Sequence, residues 1–220
     1  MTILPVWHSF ERMIQYTAIL FGCGLAYSKP IASIMLADMA VIKPKWMCGV
    51  PRLWEALAKG VDKAMKKTGG IKLKLYRFFI AAGKAYANMK DLTLGNVCQF
   101  KKRCRTLDSL IGIIPTILLW PLHILGELLV FKKIKQKFGG NLSIAISGGG
   151  SLQKNIDDFY RAIGFTLLEG YCLTETAPVV SFRYYKHPRP GCVGIIFPTS
   201  EVKIVEDYTK KDTAGGTEKE

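Results

Sequence analysis

Two glycine-bearing bends, one helix length apart and each led in by an apolar run, constrain this 220-residue chain more than any other feature. The first is Ser147-Gly148-Gly149-Gly150-Ser151-Leu152, which closes an apolar segment at 142–147. Residues 152–163 read as a helix. Residues 165–169, at the end of a second apolar run, read as another strand. The second bend follows as Glu169-Gly170-Tyr171-Cys172-Leu173-Thr174-Glu175-Thr176. Strand, turn, helix and strand in that order make a βαβ unit, with both bends at the carboxyl ends of neighbouring strands, where ligands bind in such sheets. Backbone N–H groups, an aromatic ring, a hydroxyl and a carboxylate then surround one cleft. Those parts suit a nucleotide: amides for phosphate, a ring for the base, and a carboxylate for a magnesium ion.

The remainder fits an α/β chain with a helical stretch inserted in it. Residues 9–27 read as a helix capped by Ser9, with Phe10, Met13, Ile14, Thr17, Leu20 and Phe21 on one side. Residues 31–39 are a short helix or turn, and 46–50 a strand. Pro51 opens the next helix, at the position where its missing N–H costs nothing, and that helix runs to Gly69-Gly70. Residues 71–89 form another, with Leu73, Tyr76, Phe79, Ile80 and Gly83 on one face. Residues 191–196 and 202–205 read as later strands, and 207–220 as a polar, disordered tail. No internal repeat is visible.

Residues 110–131 are almost wholly apolar, with His123 and Glu127 the strongly polar exceptions, and basic runs stand on both sides. Their length suits a bilayer crossing. Pro115 and Pro121 break such a helix, which favours an apolar hairpin lying on a membrane or capping an acyl tunnel; a buried helix pair is the third reading. The net charge of +14 is concentrated: thirteen Lys and Arg stand against two Asp between Lys59 and Arg105. No zinc-finger spacing or glycine-rich RNA motif accompanies it, so nucleic acid is a poor partner. A phosphate-rich substrate, an anionic membrane surface or a solvated helix face accounts for it. The six cysteines are scattered, with no Cys-x-x-Cys pair, which suits a reducing, cytoplasmic setting, with or without peripheral contact at the inner face of a membrane.

Five stretches, in order, resemble the AMP-forming acyl-adenylating superfamily and, within it, the long-chain fatty acyl-CoA synthetases. They are Leu4-Pro5-Val6-Trp7-His8, Val50-Pro51-Arg52, Ser147 to Leu152, Tyr171-Cys172-Leu173-Thr174-Glu175-Thr176, and Arg189-Pro190-Gly191-Cys192-Val193-Gly194 followed by Glu201-Val202-Lys203-Ile204. The resemblance implies a partial, multi-layered acyl-CoA synthetase-like α/β domain over residues 1–206. It also implies that residues 90–138 are a basic and hydrophobic helical insertion; peripheral membrane contact through 107–131 is the reading that the apolar stretch itself favours. The implied chemistry is attack of a long-chain fatty carboxylate on the α-phosphate of ATP, then transfer of the acyl group to the thiol of coenzyme A. Glu175 would bind magnesium (Mg2+), Thr174 the α-phosphate, and Tyr171 would stack on adenine. Gly148, Gly149 and Gly150, with Glu169 and Gly170, would bring backbone close to the nucleotide, and His8 would lie beside the reacting carboxylate.

The residues taken alone carry plainer readings. Glu175 and Thr174 are ordinary helix caps, Tyr171 is core packing, and His8 a satisfied buried histidine. Glu11 and Arg12 form a surface pair, Arg52 bonds a strand end, and Cys172 is an inert thiol. Cys172 stands where the family pattern has glycine, which asks whether the backbone there tolerates a side chain. The phosphate loop, the Thr-Gly-Asp and the C-terminal lysine of the family have no counterpart among these residues. The chain therefore reads as the central piece of a longer ligase, inactive alone. A non-catalytic membrane-associated scaffold and a synthetase for another carboxylic acid are the alternatives.

Overall fold

The computed structural model describes residues 1–98 and 104–204. The basic run at 101–103, the last residue of the strand expected at 202–205, and the tail at 207–220 lie outside them. Five strands form one sheet among the described residues: β1 (Trp46–Gly49), β2 (Ile144–Ser147), β3 (Leu167–Cys172), β4 (Val179–Phe182) and β5 (Ile195–Ile196), ordered β1-β2-β3-β4-β5. β1, β2 and β3 are parallel, while β4 and β5 run antiparallel beyond them.

Strand alternation divides the interior into two layers. Met47, Ala145 and Leu167 sit in register and face the main core; Cys48 and Ile146 face the other way, onto Phe10 and Ile14 of α1 (Ser9–Leu20). The main core is roofed by α3 (Pro51–Thr68) and α7 (Lys154–Ala162). Its centre is aromatic. The Trp54 and Tyr160 rings meet edge to face at 5.8 Å, and the Tyr160 hydroxyl donates to the Trp54 carbonyl at 2.8 Å. Burial pushes that phenol's pKa up, so it stays a donor. Trp54 Nε1 in turn donates to the Ile146 carbonyl at 3.3 Å, which ties α3 to β2.

The β2–α7–β3 order stands, with Ser147 paired to Glu169, but the second strand runs on to Cys172, so Gly170, Tyr171 and Cys172 belong to β3 and not to the bend expected from 169. Several other expectations are corrected. α1 ends at Leu20, and its cap is His8: the imidazole Nδ1 accepts from Phe10 N at 3.2 Å, whereas the Ser9 hydroxyl is buried with no partner. Leu20 and Phe21 are exposed, because the buried face of α1 runs through Phe10, Ile14 and Ala18. Glu11 is buried and accepts from Gln15 at 3.0 Å, so it forms no surface pair with Arg12. α2 spans Ala32–Ile42. β4 was not anticipated, the strand expected at 191–196 is Ile195–Ile196 alone, and 202–204 is irregular.

The largest correction concerns the apolar segment. α4 (Gly70–Leu94) pairs with α5 (Arg105–Gly126), which runs straight through Pro115 and Pro121. A π-helical turn, Glu127–Phe131, and α6 (Lys132–Lys137) continue it, giving one helical rod of 33 residues rather than a hairpin. An interior proline costs about 3 kcal/mol of helix stability. Packing along α4 holds both halves in line: Ser109 Oγ donates to the Thr93 carbonyl at 2.8 Å, the Thr93 and Thr116 hydroxyls lie 3.2 Å apart, and Phe79 packs at Gly126.

Candidate active site

The glycine bend leaves the tip of β2 as Gly148, whose N–H donates to the Gly49 carbonyl of β1 at 3.1 Å. Gly149 takes φ +76°, the left-handed region that a side chain would strain. A Cβ on Gly148 would stand 3.2 Å from the Phe10 ring, so the start of α1 lies against this bend. His8, two residues before Phe10, caps the start of α1 and does not line the cleft beside the bend. His8 is exposed rather than a buried histidine, and because its Nδ1 accepts the capping bond, Nε2 carries the proton and is free to donate.

A cleft of about 520 Å3 opens beside the bend, lined by Gly149, Gly150 and Gln153 on one side and Val50, Pro51 and Arg52 on the other. The amino-terminal ends of α3 and α7 flank it, although Pro51 has no N–H, the Leu53 N–H is held by the Val50 carbonyl at 3.0 Å, and Glu55 also lines the cleft. Arg52 is exposed and makes no hydrogen bond among the described residues, so the strand-end bond expected of it is absent. It is instead a free cation at the cleft. The Val-Pro-Arg string carried the signal, since Pro51 fixes the helix start and so directs the next side chain toward the strand tips.

Glu169 is 6% exposed, and both of its oxygens are engaged. Oε1 accepts from the Leu152 N–H at 2.8 Å, at the far end of the glycine bend, and Oε2 accepts from Arg183 Nη2 at 2.6 Å. Arg183 is itself buried. It donates to Asp157 Oδ2 at 2.9 Å and, through Nε, to the Cys192 carbonyl at 2.6 Å. This network joins the glycine bend, α7, β3, β4 and the Gly191–Gly194 segment into one brace. Nothing local in the sequence points to it, because the partners of Glu169 lie 17 residues before it and 14 after.

β3 continues past the level of β2, and Gly170, Tyr171 and Cys172 pair with β4 around an irregularity at Tyr171 and Cys172. Tyr171 is 46% exposed, which rules against core packing. Cys172 takes no left-handed φ, so the residue standing in place of glycine fits extended backbone without strain. Thr174 and Glu175 stand exposed in a short 3-10 turn, Thr174–Thr176. The Thr176 hydroxyl pins the base of that turn, donating to the Pro178 carbonyl at 2.7 Å. The glycine bend closes β2, whereas the Thr174–Thr176 turn follows the neighbouring strand only after β3 has run on from Glu169, the partner of Ser147, to Cys172. The 520 Å3 cleft adjoins the first bend; Tyr171, Thr174 and Glu175 lie on the neighbouring hairpin and do not line it.

Comparison with known proteins agrees with this architecture. The family model described as "AMP-binding enzyme" matches residues 1–218, and the chain belongs to that family. Among its relatives are two proteins of Arabidopsis thaliana, each 33% identical over 95% of this chain: "Probable acyl-activating enzyme 16, chloroplastic" and "Long-chain-fatty-acid--[acyl-carrier-protein] ligase AEE15, chloroplastic". "Long chain acyl-CoA synthetase 7, peroxisomal" of the same plant is 29% identical over 95% of the chain. The chain spans 29% of the length of the first two relatives and 26% of the third.

Proposed function

We propose that these residues form the central part of a ligase that activates a long-chain fatty acid with ATP and passes the acyl group to coenzyme A. The observation that carries the reading is the adjacency of the two bends on paired strands, in a chain matched to the AMP-binding family over residues 1–218. The fatty carboxylate attacks the α-phosphorus of ATP, and pyrophosphate leaves. The thiol sulfur of coenzyme A then attacks the acyl carbonyl, and AMP leaves. The first step gathers negative charge on phosphorus, so the site needs donors and cations rather than a protein nucleophile. Thr174 donates to the α-phosphate, Tyr171 stacks on adenine, and the Gly148–Gly150 and Gly170 backbone lets the nucleotide approach closely. His8 donates from Nε2 to the carboxylate being activated. Arg52 and the amino terminus of α7 attract the anionic substrate. Glu169 is a positioning residue, since its oxygens hold the bend rather than face a ligand.

No group of three or more His, Cys, Asp or Glu able to hold a metal occurs among the described residues. Magnesium keeps several waters and takes one or two carboxylates together with substrate phosphates, so the single exposed Glu175 fits an ion that arrives with ATP. Such an ion would neutralise charge on the α-phosphate. The cytoplasm is the setting proposed, from the scatter of the six cysteines along the chain. The acyl-carrier-protein ligase among the relatives makes a carrier-protein thiol the competing acceptor.

Exchange of labelled pyrophosphate into ATP, followed on the full-length protein that carries these residues, tests the reading. Palmitate should stimulate exchange, and Glu175→Gln should lower it by about a hundredfold, as loss of a major transition-state charge contact does. Stimulation only by short or aromatic acids would assign another adenylating branch. Absence of exchange with every acid would leave a scaffold. The 220 residues alone are expected to form no thioester.

A further inference from the structure

We infer that Cys98 and Cys192 are a redox-responsive pair that closes into a disulfide and clamps the end of α4 onto the Arg183–Glu169 brace. Nothing in the cysteine spacing marks them, since they lie on segments that only the fold brings together. On one side, α4 stops at Leu94, Gly95 takes φ +71°, and the Asn96 N–H donates back to the Asp91 carbonyl at 2.8 Å. That cap fixes the exit of the chain two residues before Cys98. On the other side, the Cys192 carbonyl accepts from buried Arg183 through Nε at 2.6 Å, and the Cys192 thiol donates to the Arg189 carbonyl at 3.3 Å. The Cys98 thiol completes the chain by donating to the Cys192 sulfur. Two sulfurs in such contact need to close by only about 2 Å to bond.

Both thiols are free, and Cys98 is exposed. A cavity of about 400 Å3 gives access, lined by Cys98, Leu152, Asp157, Arg183, Pro190 and Gly191, so it reaches from the thiol pair to the brace. Cys104, the thiol nearest to Cys98 in sequence, is engaged by the Thr106 hydroxyl at 3.0 Å on its own helix. Partial burial and then Cys192 raise the Cys98 pKa, while Arg189 and Arg183 oppose this, so the pair rests as thiols. The oxidant is a small-molecule disulfide such as glutathione disulfide. The Cys98 thiolate attacks one of its sulfurs, and a glutathione thiolate leaves. The Cys192 thiolate then attacks the Cys98 sulfur of the mixed disulfide, and the second glutathione leaves. Two protein thiols are oxidised, one glutathione disulfide is reduced to two thiols, and the protein's thiol protons end on glutathione. A transient bond of this kind is the form that disulfides take in a reducing compartment. It closes a loop of roughly a hundred residues, a length at which cross-linking strongly restricts the unfolded chain.

Equilibration of the 220-residue chain in mixtures of reduced and oxidised glutathione, followed by alkylation and peptide mapping without reduction, tests the inference. Oxidising mixtures should link the peptides holding Cys98 and Cys192, and Cys104→Ser should leave that link intact. The oxidised chain should melt about 5 °C or more higher. Exchange of the Leu152 amide hydrogen, which Glu169 holds, should slow by about tenfold. Both changes should reverse with dithiothreitol and be absent in Cys192→Ser. Glutathione retained on Cys98, a bond from Cys98 to Cys104, or no bond in any mixture would overturn the inference. So would a Cys98–Cys192 bond that leaves melting temperature and Leu152 exchange unchanged. None of these readouts involves a nucleotide, so failure here leaves the ligase reading standing.

Discussion

Glu169 separates what can be read from one residue's neighbours from what needs the fold. Beside Gly170 and Tyr171 it looks like part of the nucleotide contact. Its oxygens instead close a circuit from Leu152 to Arg183, two partners that only tertiary structure brings near. Removing one member of a buried ion network leaves the others desolvated, so Glu169→Ala should cost about 3 kcal/mol of unfolding free energy, measured by urea denaturation. A loss under about 1 kcal/mol would show that the brace is weak. Gly149 was legible by contrast, because a run of three glycines announces a tight bend whatever surrounds it. At φ +76°, Gly149→Val should destabilise by at least about 1 kcal/mol, and it should weaken nucleotide binding more than stability alone accounts for. Equal ATP affinity in Gly149→Val and the parent would detach this bend from the ligand. Arg52 was singled out by its motif but given the wrong partner: the string located the helix start, and only the fold shows which cleft that start overlooks.

The elements were legible where sequence punctuation is sharp. Pro51, Gly69-Gly70 and the 148–150 run bound α3, α4 and β2 within a few residues of the expected places. β4 escaped because Val179–Phe182 is four residues long and takes its register from β3 rather than from any pattern of its own. The α5 rod escaped because two prolines read as breaks, whereas the pairing with α4 outweighs them. One consequence of that pairing is sensitivity to acid. His123 is packed between Tyr86, at 4.4 Å between ring centroids, and Phe131, at 5.5 Å. Burial holds its pKa below the ordinary histidine value; Glu127 opposes this, and Lys135 and Lys90 reinforce it. The unfolded chain, with a histidine pKa of about 6.5, therefore takes up the proton first as pH falls. Stability from this site is complete above about pH 6.5 and declines between there and the lower folded value. His123→Phe should keep the aromatic packing and flatten that part of the stability–pH curve in chemical denaturation. An unchanged slope would place the acid response elsewhere.

Across the whole molecule, an α/β sheet carries two distinct surfaces. One is the set of strand tips, where α1, α3, α7 and the β3–β4 hairpin present His8, Arg52, the glycine bend, Tyr171, Thr174 and Glu175. The other is the α5–α6 rod, whose apolar side faces outward. The ligase reading proposed above assigns the first to the nucleotide and its acyl partner. The βαβ core and its bends were readable in advance because parallel strands place their loops on one edge by geometry. How far β3 runs past β2 was not readable, since strand length beyond a bend depends on a partner strand. The central claim is that both bends grip one adenine nucleotide, and photolabelling with 8-azido-ATP followed by peptide mapping tests it most directly. The account predicts label in the peptides holding 148–152 and 170–176, suppressed by excess ATP and reduced in both by Tyr171→Ala. Label confined to one bend, or spread over the basic helices and indifferent to excess ATP, would contradict it.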